Sequence, residues 1–312
     1  MNAAPDIETK SGRPLQIGMG MGTQWKSLKF AQKTKCGEIV EEIVDQICLA
    51  LKNGYYHIDT AEVYTTHPEV GAAIRKSGHK REDVFITSKF NGGIKGAPRT
   101  SKDPTEAIQK ILKDLNSDYL DLYLIHQPFF DDDPSLQLKI KDAWTHMVEL
   151  KLKGKVRYIG VSNFSVTHIE KIMQNFSKPF HPQVNQIEFH PYLQEQSPGI
   201  VDFCHKNSIV MEAYAPLAPL LRFREKNPLI EEHPLNELLI FMMEKYAKTD
   251  AQILLKYCLQ KSFIPITTSS KVQRIKESLE VYDFEMSSHD VNLIDHVGSK
   301  AVYRSFFTKE YG

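Results

Sequence analysis

The chain carries no surplus of charge: among its 312 residues, 39 Lys and Arg stand against 39 Asp and Glu. A nucleic-acid binder needs a basic surface to displace counterions from phosphate, so this balance argues against one. Long hydrophobic runs are missing as well, and no stretch approaches the ~18 uncharged apolar residues of a membrane span. Cysteine is scarce. Cys36, Cys48, Cys204 and Cys258 stand far apart, with no C-x-x-C pair and no zinc-ligand spacing. They read as reduced thiols of a cytoplasmic protein rather than a disulfide framework. The first ten residues include Asp6 and Glu8 and lack an apolar core, so no secretory signal is expected. Low-complexity tracts, long linkers and solenoid-type repeats are absent. The 12 histidines show no His-x-His or carboxylate grouping of a metal-dependent barrel hydrolase, so no metal site is expected.

What is present is an alternation of short β-branched apolar runs with segments of helical period. The runs are Gln16–Met21, Tyr55–Asp59, Val84–Lys89, Leu120–His126, Val156–Val161, Val184–Phe189, Ile209–Tyr214 and Phe263–Thr267. Strands covered on both faces by crossover helices have this near-continuous apolar character. From Glu38, Ile39, Ile43, Ile47 and Leu51 recur every fourth position beside Val40 and Val44, and Asn53-Gly54 supplies the stop. Asp103-Pro104 reads as an N-cap and first helical residue, with Glu106 placed for a capping-box pair. Ile108, Ile111, Leu112 and Leu115 form the stripe behind it, and Ser165 caps a third helix faced by Ile169, Ile172, Met173 and Phe176.

Alternating strands and helices imply parallel βαβ units. A doubly wound open sheet would place G-x-G-x-x-G between its first strand and helix. Here Gly18, Gly20 and Gly22 lie along the first strand itself, where they suit close packing. The pattern predicts an α/β protein with a (β/α)8 barrel, one domain over residues 1–312. Residues up to about Pro14 are expected to form a β-hairpin that caps the barrel bottom.

Two insertions break the rhythm: Phe129 to Lys139, with the acidic Asp131-Asp132-Asp133, and Pro216 to Pro234. Both follow strands and so fall on the face where barrel sites form. Asp59 closes the second run, Tyr64 lies just after it, Lys89 closes the third run and His126 the fourth. Singly, each has an ordinary structural use: a buried ion pair, a core aromatic ring, a hydrogen-bonded histidine. Together they converge on one end of three consecutive strands. That convergence suits carbonyl reduction, in which hydride arrival leaves negative charge on oxygen that must be protonated. A phenol with a pKa of about 10 is a poor acid near neutral pH. A neighbouring ammonium favours tyrosinate and improves it, a part for Lys89 held by Asp59. His126 can position the carbonyl oxygen.

With these residues assembled, the chain resembles the aldo-keto reductase family over nearly its whole length. The matching segments are His57-Ile-Asp-Thr-Ala-Glu-Val-Tyr64, Ile86-Thr-Ser-Lys89, Asp121-Leu-Tyr-Leu-Ile-His126, Ile159-Gly-Val-Ser-Asn-Phe164, Val184-Asn-Gln-Ile-Glu-Phe-His-Pro191 and Glu212-Ala-Tyr214. The resemblance implies a catalytic tetrad of Asp59, Tyr64, Lys89 and His126, and NADPH as cofactor. It implies that Ser162, Asn163 and Gln186 hold the nicotinamide carboxamide and that Tyr214 stacks on the ring. Pro216 and Leu217, with Thr268, Ser269, Ser270, Lys271 and Arg274, are implied to hold the rest of the cofactor. No acidic residue sits among positions 270–274, so a 2′-phosphate is the expected ligand there.

Two segments depart from the family pattern. Tyr-Ser-Pro-Leu-Gly becomes Tyr214-Ala-Pro-Leu-Ala218, losing a hydroxyl that Arg222 and Arg224 are near enough in sequence to replace. After the last run, Thr267-Thr-Ser-Ser-Lys271 displaces the usual lysine, and Ser278 stands in place of Asn. This variant, Gly20-Met-Gly-Thr-Gln-Trp25 and Pro198-Gly199 resemble the fungal α-keto amide and conjugated polyketone (ketopantoyl lactone) reductase subgroup. The implied substrates are activated α-dicarbonyls, in a pocket walled by Trp25, Phe90, Phe129, His190 and Tyr192. A small-molecule carbonyl is the expected partner, with neither nucleic acid nor membrane, for a monomer or homodimer. A non-catalytic NADPH-binding protein on the same fold, and a general aldehyde or aldose reductase, are the alternative readings.

Overall fold

The computed structural model describes residues 7–32, 38–94, 99–131, 137–223 and 233–311. Eight strands, β1 (Gly18–Gly20), β2 (His57–Asp59), β3 (Phe85–Phe90), β4 (Leu120–Ile125), β5 (Val156–Ser162), β6 (Val184–Glu188), β7 (Val210–Tyr214) and β8 (Phe263–Thr267), pair in sequence order. All ladders are parallel, and β1 also pairs β8, which closes the barrel. Closure leaves no edge strand, and helices over the outside bury the second face of each run, so every position of β2, β3, β4 and β6 is buried.

The first two strands are shorter than their apolar runs. At the barrel bottom the Ile17 N–H is donated to the Tyr282 hydroxyl at 2.9 Å instead of to a neighbouring strand. Gly18 and Gly20 lie in β1, but Gly22 falls beyond it, directly before a helix, Thr23–Ala31, that the sequence pattern did not lead one to expect; Gly18 and Gly22 both serve close approach. A Cβ on Gly18 would lie 2.6 Å from Ile266 Cδ1 and 2.7 Å from His57 Nδ1. On Gly22 it would lie 3.0 Å from the Tyr64 ring.

The N-terminal cap is narrower than a full hairpin, with a single antiparallel bridge between Glu8 and Pro14. Gly12 turns the chain at a φ of +87°. Ile7 is buried against Phe85, Leu122, Leu124 and Val184 and plugs the bottom of the barrel.

The helices follow the sequence signals with local changes. Helix Glu41–Lys52 buries Ile43, Val44, Ile47 and Leu51, but Ile39 precedes its first turn and is exposed. Asp103 caps helix Pro104–Leu115 by accepting the Glu106 N–H at 2.9 Å. The Glu106 carboxylate reaches one residue further back, to the Lys102 N–H at 2.7 Å. Ser165 caps helix Val166–Met173 reciprocally with His168. Met173 and Phe176 are only half-buried because that helix ends at Met173. Cys48, Cys204 and Cys258 are free thiols, while Cys36, Asp132, Asp133 and Arg224 lie outside the described residues. Among the described residues no helix is long and apolar enough to cross a membrane.

Candidate active site

Parallel strands in a closed barrel all end at the same rim, and β2, β3 and β4 deliver Asp59, Lys89 and His126 there. A short 3₁₀ turn, Glu62–Tyr64, carries the tyrosine over the same opening. Lys89 Nζ donates to Asp59 Oδ1 at 2.6 Å and to the Thr60 carbonyl at 3.0 Å, with both ion-pair partners almost fully buried. It also stands 5.4 Å from the centre of the Tyr64 ring. The Tyr64 hydroxyl and His126 Nε2 are 3.5 Å apart, their rings set edge to face. The four expected catalytic residues therefore form one cluster.

Its electrostatics are set by burial first. Burial works against the Lys89 ammonium, yet the Asp59 carboxylate holds its pKa above the ordinary lysine value. Burial likewise pushes the Tyr64 phenol up, and the charge on Lys89 pulls against that. The ammonium acts in the expected direction, but desolvation outweighs it in the protein alone. Burial and the charges of Lys89 and Lys26 push the His126 imidazole down to about 3, so it is neutral at physiological pH.

The residues expected around a nicotinamide meet in one network. Ser162 and Gln186 are register partners on β5 and β6, and the Ser162 hydroxyl donates to the Gln186 carbonyl at 2.8 Å. Asn163 adopts a left-handed φ of +60° that turns its amide inward. Asn163 Nδ2 donates to the His126 carbonyl and to Ser162 Oγ, at 2.8 and 3.0 Å. Its Oδ1 accepts from Gln196 at 2.8 Å and from the Tyr214 hydroxyl at 2.7 Å. Gln186 Nε2 donates to Asp59 Oδ2 at 2.8 Å and to Glu212 Oε2 at 2.7 Å. Since β2 and β6 are not neighbours, the Asp59–Gln186 bond crosses the barrel interior.

A cavity of about 410 Å³ opens beside this rim. Leu217, Thr268, Ser269 and Arg274 line it as expected, joined by Leu220, Leu221 and Gln252. Ser270 and Lys271 are exposed just outside it, and Pro216 is buried. Asp250 and Glu277 also face this cavity, acidic groups beyond the 270–274 stretch. Ala215 turns the chain at a φ of +53°. Arg222, expected to make up for the hydroxyl missing there, instead stacks over the Phe306 ring at 4.4 Å. Ser278 donates to the Ile275 carbonyl at 2.8 Å and lies 2.6 Å from the Tyr55 hydroxyl.

The expected aromatic wall is mostly beneath the surface. Phe90, His190, Tyr192 and Trp25 are all buried. Trp25 donates its indole N–H to Thr268 Oγ1 at 2.8 Å, and Tyr192 packs on Phe223 with ring centres 4.7 Å apart. His190 bonds Glu188 at 3.1 Å. Only Phe129 keeps partial exposure, and it meets rings that sequence reading missed, Phe307 at 5.2 Å and Tyr311 at 5.4 Å. Glu188 accepts the Ser305 and Phe306 N–H groups at 2.8 and 3.1 Å, which pins this C-terminal segment over the rim. Phe306 then lies edge-on to Tyr214, and the Tyr311 hydroxyl donates to the Asn163 carbonyl. Glu212 was also missed, although a charge inside a doubly buried strand is itself a signal.

Residues 15–299 match the aldo/keto reductase family, and with this barrel and rim the chain belongs to that family of carbonyl-reducing oxidoreductases. It is 37% identical over 295 residues to an NADPH-dependent alpha-keto amide reductase of Saccharomyces cerevisiae, covering 94% of this chain and 90% of that protein. It is 39% identical over 254 residues to a glyoxal reductase of Bacillus subtilis, covering 81% and 83%. Among solved structures, a Bombyx mori aldo-keto reductase in complex with NADP superposes with a TM-score of 0.74 at 28% identity, covering 95% and 94%.

Proposed function

We propose that this protein reduces activated α-dicarbonyls to alcohols with NADPH, Tyr64 acting as proton donor. The observation that carries this reading is the convergence of Tyr64, Lys89, Asp59 and His126 at the rim, with Asp59 also bonded to Gln186. NADPH, when bound, supplies the hydride. Ser162, Asn163 and Gln186 would hold its carboxamide and Tyr214 its ring. Pro216, Leu217, Thr268, Ser269, Ser270, Lys271 and Arg274 would hold its phosphates and adenosine. The cavity, with Arg274 and the hydroxyls of Thr268 and Ser269 in a largely apolar wall, fits a dinucleotide that carries phosphate.

The protein's own part is positioning and proton transfer. The neutral His126 imidazole and the Tyr64 hydroxyl both face the spot where a carbonyl oxygen gains charge. Tyr64 gives up its proton there, and Lys89, kept charged by Asp59, stabilises the phenolate left behind. The ring cluster around Phe129, together with Trp25, Phe90, His190 and Tyr192 in the surrounding shell, suits flat substrates. Relatives named for an α-keto amide and for glyoxal support activated carbonyls as a class, and within it we propose ketopantoyl lactone, α-keto amides and isatin-like diketones. The free thiols support a cytoplasmic protein, read here as one barrel domain over residues 1–312 that acts as a monomer or homodimer.

Initial rates with NADPH test this. We expect kcat/KM on ketopantoyl lactone or isatin to exceed that on glucose or xylose by at least ~10²-fold, about 2.7 kcal/mol of transition-state preference. Faster turnover of sugars, simple aldehydes or ketosteroids would overturn the substrate class. NADPH binding without turnover of any carbonyl would favour a non-catalytic protein.

A further inference from the structure

Glu212 has no part in the chemistry above, yet it sits at the centre of the network that holds Gln186. Its carboxyl is fully buried, and Gln186 and Glu212 are register partners on β6 and β7. Gln186 Nε2 lies 2.8 Å from Asp59 Oδ2 and 2.7 Å from Glu212 Oε2. An amide nitrogen has two hydrogens to give, and here each has a carboxyl oxygen to receive it. An amide oxygen in the same place would face Asp59 Oδ2, a carboxylate oxygen that can only accept. Asp59 cannot swing away, because its other oxygen is held by Lys89 at 2.6 Å.

We infer that Glu212 is a positioning residue: with Asp59 it fixes which end of the Gln186 amide faces inward, leaving the carbonyl oxygen as the group offered to the cofactor. Nothing among the described residues donates to that oxygen. The inference rests on the reading that Gln186 holds the nicotinamide carboxamide, whose NH2 requires an acceptor. The groups facing Glu212 are Gln186 from β6, Asp59 and His57 from β2, and Lys89 from β3. His57 Nδ1 lies 3.0 Å from the Gln16 carbonyl and so carries its hydrogen there, while His57 Nε2 is 3.0 Å from the Thr87 hydroxyl. Glu212 Oε1, 3.9 Å from His57 Nε2, has no hydrogen-bond partner. Burial and the charge of Asp59 push the Glu212 carboxyl up to about 8, and in its neutral form it still has a carbonyl oxygen with which to accept. Its role needs an acceptor and not a charge.

Two variants separate these. Glu212→Gln keeps a neutral acceptor of the same shape, whereas Glu212→Met removes it and frees the Gln186 amide to turn. Each is titrated with NADPH and with adenosine 2′,5′-bisphosphate, which lacks the nicotinamide. We expect Glu212→Met to weaken NADPH about tenfold, the scale of one lost hydrogen bond to a positioned group. Affinity for the bisphosphate should stay within about twofold, and Glu212→Gln should bind both as the wild type does. Unchanged NADPH affinity in Glu212→Met, equal loss of both ligands, or a Glu212→Gln variant as weak as Glu212→Met overturns the inference. If Glu212→Met does not fold, the wild-type protein decides: the Gln186 side-chain NH2 should exchange slowly with solvent by NMR, and fast exchange overturns it. Wild-type protein that binds no NADPH would instead defeat the functional reading, while slow amide exchange would still support the orientation.

Discussion

Tyr64, proposed above as the proton donor, is a phenol whose surroundings pull its acidity in opposite directions. Burial raises its pKa, and the ammonium of Lys89 is the group that works against this. Tyr64→Phe removes only the hydroxyl, so it should abolish carbonyl reduction while NADPH affinity, read by titration, changes little. Retained turnover would mean another acid is at work. Lys271 and Arg274 make a different test, since both are exposed beside a cavity that also holds Asp250 and Glu277. Lys271→Ala or Arg274→Ala should weaken NADPH far more than NADH in paired titrations, because only NADPH carries the 2′-phosphate. Equal losses would overturn the assignment of Lys271 and Arg274 to the 2′-phosphate. At this scale the sequence was most legible for the tetrad, where residue type and strand end together carry the signal. It was least legible for the pocket wall, because exposure depends on what covers a ring. Phe90 and Tyr192 are aromatic residues near the rim that the fold buries.

Among the elements, β5 shows how a motif can serve packing. Gly160 lies within Ile159-Gly-Val-Ser-Asn-Phe164, and its pairing places it beside Leu124 of β4. A Cβ there would come within 2.6 Å of the Val184 carbonyl oxygen and 2.7 Å of Leu124 Cδ2. Backbone cannot yield as a side chain does, so Gly160→Ala should force β5 and β6 apart. We expect a loss of about 1–3 kcal/mol in urea unfolding, the usual cost of overpacking a core. The strands and helices were readable because period and caps are local. The C-terminal segment was not. Its hold on Glu188 joins Ser305 and Phe306 to a residue more than a hundred positions earlier, and no periodicity announces such a contact.

Over the whole molecule, buried titratable groups make stability depend on pH from two sides. Burial lowers the pKa of His57, His67, His126 and His190 from their ordinary 6.5, His67 and His126 to about 3. Below pH 6.5 the unfolded chain binds protons that the folded one refuses, so stability falls as pH drops. Glu212 acts oppositely. Its pKa rises from 4.5 to about 8, so the folded state holds a proton that the unfolded state releases, and stability falls as pH rises through that window. Each group contributes about 1.4 kcal/mol per pH unit where only one state is protonated. Urea unfolding from pH 5 to 8 should show a maximum near pH 6.5, and Glu212→Gln should flatten the limb above it. An unchanged alkaline limb would mean that Glu212 is already ionised at neutral pH.

The sequence by itself determined the barrel and the meeting of Asp59, Tyr64, Lys89 and His126 at one rim, because strand period, helix caps and residues at strand ends are properties of short segments. It also carried the family, through motifs spread over most of the chain. Only the tertiary structure brought Gln186 between Asp59 and Glu212, raised the Glu212 carboxyl through burial, and set Phe306 and Tyr311 over the rim. The Asp59–Gln186 bond spans 127 positions of sequence and the width of the barrel. Burial raises the Glu212 carboxyl, because an interior that excludes water disfavours a second carboxylate beside Asp59. Neither a cross-barrel neighbour nor the loss of water is a property of any one segment, so both arise only when the eighth strand closes on the first.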